Sequence, residues 1–96
     1  MVCLMGVLCK SPNLRVTPLG REICDIMLAV NRNYSRADYL PCIAWSESAR
    51  DIACMDVGDT LSITGRLQSR VYIKNEGEKS VEKTAFEISV LSYAAV

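Results

Sequence analysis

The sequence predicts an all-β protein, a small barrel of about five strands with one short helix. Apolar residues recur mostly at every second position, which is the period of a strand. Turn-forming Pro, Gly, Asn and Asp residues separate the apolar segments at short intervals. A single stretch in the middle of the chain instead has its apolar residues at helical spacing.

The first two strands are predicted over residues 2–9 and 22–31. The first is apolar, without the basic leader and small-residue cleavage site of a signal peptide. The second strand has one apolar face, and its other face is half apolar through Ile23, Met27 and Ala29. This pattern is typical of a strand that is buried on both sides or covered by a partner subunit.

The third strand is predicted over residues 38–45, where Leu40, Cys42 and Ala44 form a row that faces the core. Tyr39 and Trp45 fall on the opposite face, since side chains alternate along a strand. A tryptophan is more often a core residue, but this position favours base stacking or a subunit interface.

The helix follows at residues 46–55. Ser46 is the predicted N-cap, because a serine hydroxyl accepts a hydrogen bond from a free amide of the first turn. Ala49 and Ile52 lie on one apolar face, and Gly58 is the predicted C-terminal stop. A helix of this length is short enough to close one end of a barrel.

The fourth strand is predicted over residues 60–74. Its odd-numbered residues, from Leu61 to Ile73, are mostly apolar and are predicted to face the core. Gly65 allows a bend where the strand turns a corner. The even-numbered row presents cations and an aromatic ring to solvent: Arg66, Arg70, Tyr72 and Lys74.

A polar segment at 75–83, with Gly77 at the predicted turn, leads to the fifth strand at 84–92, where Phe86, Ile88 and Val90 share one face. The helix then lies between strands three and four. This order matches the OB-fold, a five-stranded Greek-key barrel that binds oligonucleotides. The whole chain, residues 1–96, is predicted to form one such domain.

Composition excludes several classes of protein. The chain has five cysteines and no histidine, and no cysteine pair has C-x-x-C spacing, so neither zinc nor a disulfide framework is expected. Reduced thiols favour a cytoplasmic location. No apolar run is long enough to span a membrane. Without histidine or a glycine-rich phosphate loop, the chain is predicted to be no enzyme and to need no cofactor.

Single-strand binding needs a cationic groove and aromatic rings that stack on bases. The even-numbered row of the fourth strand supplies both, although an ordinary solvated strand face is about equally compatible with it. The loop at 31–36 places Tyr34 beside Arg32, which fits a base-stacking clamp or a solvated hairpin loop equally well. Eleven basic and eleven acidic residues give zero net charge, which counts against strong nucleic-acid binding unless the charges separate between faces.

Four stretches in register resemble the signature segments of bacterial single-stranded DNA-binding proteins. They are residues 14–20 (LRVTPLG), 28–34 (LAVNRNY), 39–45 (YLPCIAW) and 65–72 (GRLQSRVY). The resemblance implies stacking aromatics at Tyr34, Tyr39, Trp45 and Tyr72. It implies basic contacts at Arg32, Arg66, Arg70 and Lys74, with Arg15 and Arg21 as secondary candidates. The family's flexible tail with acidic residues and a Pro-Phe pair has no counterpart in this sequence.

The predicted function is non-catalytic binding of single-stranded DNA in replication, recombination or repair. The resemblance implies a homo-dimer or homo-tetramer, and replication or repair proteins are possible partners. One alternative is a primosome-type protein of the same fold that acts mainly by dimerising and bridging proteins. Another is an OB-fold protein-interaction module that binds no DNA.

Overall fold

The computed structural model describes residues 1–31 and 36–96, which form six strands and one helix. The strands are β1 (Val2–Leu8), β2 (Asn13–Val16), β3 (Glu22–Asn31), β4 (Ala37–Trp45), β5 (Thr60–Glu76) and β6 (Lys79–Ala95), and the helix is α1 (Ser46–Ala53). The helix lies between β4 and β5, which are the third and fourth of the predicted strands. The predicted all-β class and the OB-fold are confirmed.

Closure of the sheet explains why six strands still make a five-stranded barrel. The strand order is β1-β5-β6-β4-β3-β2, and β1 also pairs with β3. β1 meets one end of β3 at Val7 and Leu8, while β2 pairs with the other end of β3. β1 and β2 therefore act together as one broken strand. Sequence analysis missed β2 because all four of its residues are exposed and no apolar row marks it.

The core is a single cluster inside the barrel, to which every strand except β2 contributes. Ala49 and Ile52 of α1 are fully buried against it, so the helix closes one end of the barrel as predicted. The cluster consists of Leu8, Cys24, Ile26, Leu28, Cys42, Ala44, Ala49, Ile52, Leu61, Ile63, Ile88 and Val90.

The predicted bend at Gly65 is present as a shift in the β5–β6 register between Thr64 and Gly65. A Cβ atom on Gly65 would lie 2.3 Å from the carbonyl oxygen of Ser89, so only glycine fits here without a shift of the backbone. Beyond this point the two strands continue, paired, as far as Glu76 and Lys79. The predicted turn at Gly77 is present, with φ +63°, but the strands extend further into the 75–83 segment than predicted, since β5 ends at Glu76 and β6 begins at Lys79.

The prediction that the odd-numbered row of β5 faces the core is correct only as far as Gly65. Leu67, Val71 and Ile73 are exposed. The β5–β6 hairpin leaves the barrel after the bend as a two-stranded arm, so no second layer covers this row within the described residues. We call the segment from Arg66 to Val90 the arm.

The helix also differs from its prediction at both ends. Trp45 is the N-cap, no side chain caps the helix, and Ser46 has φ +54°, so the predicted serine cap is wrong. The chain passes from strand to helix through this left-handed residue, which moves the cap position one residue earlier. Gly58 lies in the turn before β5, beyond the C-cap at Cys54.

In residues 1–31 and 36–96, no helix has the length and the apolar character that a membrane span requires.

Candidate nucleic-acid interface

The outer row of β4 is the starting point of the site. Cys42 and Ala44 of its core row are buried, and Tyr39 on the opposite row is 64% exposed. Trp45 is half-buried, and its indole Nε1 donates a hydrogen bond to Ser89 Oγ at 3.2 Å. Ile43 of the same row is covered by its neighbours. Trp45 is therefore held in place from β6, while Tyr39 is free to contact a ligand.

The strand register extends this row across the sheet, because residues paired across neighbouring strands point to the same face. On one side, β3 places Ile23 opposite Trp45 and Asp25 opposite Ile43. On the other side, Ile43 pairs with Ser89 of β6. Ser89 in turn pairs with Arg66 of β5. β4 and β5 are thus two strand spacings apart, about 10 Å, with their aromatic and basic rows on one face.

The arm carries the basic part of this surface. Arg66, Arg70, Tyr72 and Lys74 alternate along β5 and are all exposed. In the part of the chain that the structure describes, no ion pair engages the two arginines or Lys74. From Arg66 to Lys74 the row spans about 27 Å, since an antiparallel strand rises about 3.4 Å per residue. Its cations are free to neutralise a row of phosphates.

The basic row of the arm and the outer surfaces of β2, β3, β4 and β6 form one continuous surface. We call this surface, including the even-numbered β5 row of the arm, the aromatic–basic face.

Two carboxylates, Asp25 and Glu87, also lie near the centre of the aromatic–basic face, and Glu76 lies at the end of its β5 row. The site prediction omitted all three. Asp25 accepts hydrogen bonds from Arg15, with Nε–Oδ2 at 2.7 Å and Nη2–Oδ1 at 3.4 Å. This hydrogen bond and the nearby negative charge raise the pKa of Arg15. Glu87 Oε1 accepts from Gln68 Nε2 at 3.1 Å. Alternation along β3 and β6 could have found Asp25 and Glu87, since each residue alternates with core positions.

A shallow pocket of about 270 Å³ opens on the same face. Its walls come from the β1–β2 loop and from five strands, β2, β3, β4, β5 and β6. It is lined by Lys10, Ser11, Asn13, Asp25, Ile26, Met27, Pro41, Cys42, Arg70 and Glu87. Among the described residues, no three His, Cys, Asp or Glu side chains group as a metal site would require.

Comparison with known proteins places the chain in a family. The profile of the single-strand binding protein family matches residues 1–93, which is nearly the whole chain. The chain belongs to the single-strand binding protein family. This result confirms the resemblance found in the four sequence segments.

Curated members of the family are similar along most of the chain. A single-stranded DNA-binding protein of Halalkalibacterium halodurans is 36% identical over 85 residues, covering 81% of this chain and 51% of its own length. Single-stranded DNA-binding protein A of Bacillus subtilis is 35% identical over 85 residues, covering 81% and 49%. Protein B of the same species is 36% identical over 83 residues, covering 79% and 74%. The chain spans about half the length of most of these relatives.

In this single-strand binding family member, six of the eight predicted site residues lie on the aromatic–basic face. They are Tyr39, Trp45, Arg66, Arg70, Tyr72 and Lys74. Arg32 and Tyr34 lie outside the described residues. Of the secondary candidates, Arg15 is on the face but paired with Asp25, and Arg21 lies in the β2–β3 turn near α1.

Proposed function

We propose that this chain binds single-stranded DNA on the aromatic–basic face and catalyses no reaction. One observation carries the proposal. Tyr39 and Trp45 of β4 and the basic row of β5 are far apart in sequence, yet the strand register brings them onto one surface. The names of the relatives support the same ligand, since each is a single-stranded DNA-binding protein.

In the proposed mode of binding, bases stack on the rings of Tyr39, Trp45 and Tyr72. Base–aromatic stacking contributes about 1–3 kcal/mol per base and tolerates any sequence, because every base has a π-face. Tyr34 is the fourth proposed stacking residue. The phosphates lie along the arm, where Arg66, Arg70 and Lys74 neutralise them and Arg32 adds a further cation.

The cross-strand neighbours of Tyr72 explain why its ring is accessible to a bound DNA strand. Tyr72 is 42% exposed and pairs with Lys83, which forms an ion pair with Glu76 at 3.8 Å. The ring is thus flanked by charged groups of the arm rather than by the core. A strand laid along β5 can reach Tyr72 without any rearrangement of the barrel.

The biological role that we propose is protection and handling of single strands during replication, recombination or repair in the cytoplasm. We further propose that the chain works as a homo-oligomer. Of the described residues, Val7 and Leu8 of β1 pair with β3, whereas Val2–Gly6 pair with β5 on one edge only. An open strand edge beside the exposed side chain of Met5 favours addition of a second copy.

Titration with oligo-dT tests the binding proposal, with the fluorescence of Trp45, the single tryptophan, as the signal. We expect quenching at low salt. Tyr72→Ala should weaken binding by about 5- to 150-fold, the equivalent of losing one stacked base. Val71→Ala is the matched control, because Val71 is the neighbouring residue on the opposite face of the arm. Flat fluorescence from a folded protein at low salt would exclude DNA binding at this face.

A further inference from the structure

Arg15 is a cation of the aromatic–basic face on the side away from the arm. It lies on β2, the outermost strand of the sheet, and pairs with Ile23 of β3, which pairs in turn with Trp45 of β4. Cross-strand partners point to the same face, so Arg15 and Trp45 lie in one row, two strand spacings or about 10 Å apart. A DNA strand that stacks a base on Trp45 and continues away from the arm would pass over Arg15.

Arg15 is engaged by a carboxylate, unlike the cations of the arm's basic row. Its Nε and Nη2 donate to Oδ2 and Oδ1 of Asp25, at 2.7 and 3.4 Å. The hydrogen bond to Asp25, and then the charges of Asp25 and Glu87, raise the pKa of Arg15. A phosphate that approaches this guanidinium therefore has to compete with Asp25.

The exposure of this ion pair decides how that competition ends. Each of its two side chains is 43% exposed, and an exposed ion pair stabilises a protein only slightly, so a phosphate can displace the carboxylate. The exchange gains little, however, because one anion replaces another and the charge of Asp25 remains beside the phosphate. Arg15 and Asp25 together carry no net charge, so the pair neutralises no phosphate.

Glu87, the other carboxylate near the centre of the face, has a different kind of partner. Its Oε1 accepts a hydrogen bond from Gln68, which is uncharged. Neutralising Glu87 removes one negative charge and releases no cation from an ion pair. Neutralising Asp25 removes an equal charge and also frees Arg15, so the two residues form a matched comparison.

We infer that Arg15 is a phosphate-binding residue that Asp25 holds out of use, and that Asp25 thereby limits the affinity of the face on its β2 side. The inference rests on the proposed single-stranded DNA binding and gives Asp25 a positioning role in it. In the unmodified protein the arm and the aromatic rings hold the strand, and the part of the strand over β2 is bound weakly.

The salt dependence of binding tests this inference, since log K falls with log[salt] by about 0.7 for each phosphate of a single strand that is neutralised. Binding is followed by the fluorescence anisotropy of labelled oligo-dT, a signal that does not depend on Trp45. In Asp25→Asn we expect the slope to steepen by about 0.7 and the affinity at low salt to rise about two- to fivefold. Asp25→Ala, which removes the acceptor atoms as well as the charge, should steepen it equally.

Arg15→Gln shows whether the gain comes from the freed cation. Added to Asp25→Asn, it should return the slope to that of the unmodified protein. Alone, it should leave the slope nearly unchanged, because Asp25 already neutralises Arg15. Glu87→Gln is the matched control, and any change that it produces should persist when Arg15→Gln is added.

Three outcomes would overturn the inference while leaving the proposed function intact. They are an unchanged slope in both Asp25 variants, a gain in Asp25→Asn that survives the loss of Arg15, and a slope that Arg15→Gln alone reduces by about 0.7. Failure of the folded, unmodified protein to bind oligo-dT at low salt would instead overturn the proposed function, and the inference with it.

Discussion

Gly65 shows how one residue shapes both the barrel and the proposed binding surface. It lies at the bend where β5 leaves the barrel and the arm begins. Its backbone approaches the Ser89 carbonyl so closely that any side chain would collide with it. The side-chain Oγ of Ser89 accepts the hydrogen bond from Trp45, so the bend and the aromatic position share one neighbouring residue.

Gly65→Ala should therefore lower the free energy of unfolding by about 1–3 kcal/mol, the usual cost of forcing extra atoms into a packed site. Urea denaturation followed by circular dichroism measures this change. Ser69→Ala, on the exposed part of the same strand, serves as the control and should change stability little. An alanine variant as stable as the parent would mean that the close approach at Gly65 is not required.

The five cysteines differ in how far their thiols are buried. Burial raises the pKa of the Cys42 thiol to about 12, and burial followed by the charge of Asp25 raises the pKa of Cys24. Cys3 and Cys54 are exposed, and Cys9 is half-buried, with its thiol donating to the Met27 carbonyl.

With Ellman's reagent at pH 8 we expect Cys3 and Cys54 to react rapidly and Cys24 and Cys42 only after denaturation. The unfolded chain loses these protons near the ordinary thiol pKa, whereas folded Cys42 keeps its proton until about pH 12. The contribution of this thiol to stability is thus complete below about pH 8.5 and declines as pH rises toward 12. Rapid reaction of four or more thiols in the native protein would contradict the burial of Cys24 and Cys42.

At the scale of elements, the arm has two unlike faces. One carries the basic row with Tyr72, and the other carries exposed apolar side chains, including Phe86 at 61% exposure and Ile73 at 70%. The barrel is closed without the distal part of the arm, since the buried core residues of β5 and β6 lie at its base or before it. We therefore expect the distal arm to contribute to the proposed binding and little to stability.

Replacing residues 71–84 with an Asn-Gly turn tests this division, because Arg70 and Ala85 are cross-strand partners that a two-residue turn can join. We expect stability to change by less than about 1 kcal/mol, since the deleted side chains are almost all exposed. Affinity for oligo-dT should fall about tenfold or more through loss of Tyr72 and Lys74. A shortened protein that is folded and binds with unchanged affinity would remove the arm tip from the proposed site.

At the scale of the whole molecule, zero net charge conceals an uneven distribution. Arg66, Arg70 and Lys74 on the even-numbered row of the arm form no intramolecular ion pair within the described residues. Four carboxylates lie instead on α1 and in the turn after it: Glu47, Asp51, Asp56 and Asp59. One of these, Asp51, accepts a hydrogen bond from Tyr93, which fastens α1 to β6 and raises the pKa of that tyrosine. A neutral chain can thus present a locally basic surface.

Assembly is the second property of the whole molecule. We expect light scattering after size-exclusion chromatography to give the mass of a dimer or tetramer. Met5→Glu should shift the protein toward monomer, because it places a charge on the exposed face beside the open edge of β1. Leu19→Glu, in the exposed β2–β3 turn, should not. A monomeric parent protein at micromolar concentration would contradict oligomerisation.

The sequence by itself determined which residues share a face within each strand. Side chains alternate with a period of two wherever a strand forms, so the rows of β3, β4 and β5 are local properties. This periodicity was sufficient to group Arg66, Arg70, Tyr72 and Lys74, and to separate Tyr39 and Trp45 from the core row of β4. The helix after Trp45 was also indicated locally, by the helical spacing of its apolar residues, and the bend was indicated by a glycine within a strand, Gly65.

Only the tertiary structure decided what covers each face, because that depends on pairing between strands distant in sequence. The apolar row of β5 is buried up to Gly65 and exposed beyond it, although its alternation does not change. β2 exists through its pairing with β3 and has no apolar pattern of its own. The placement of Glu87 beside Arg70 in one pocket follows from the same long-range register. Local periodicity therefore predicted the rows of the aromatic–basic face, and barrel closure joined them into one surface.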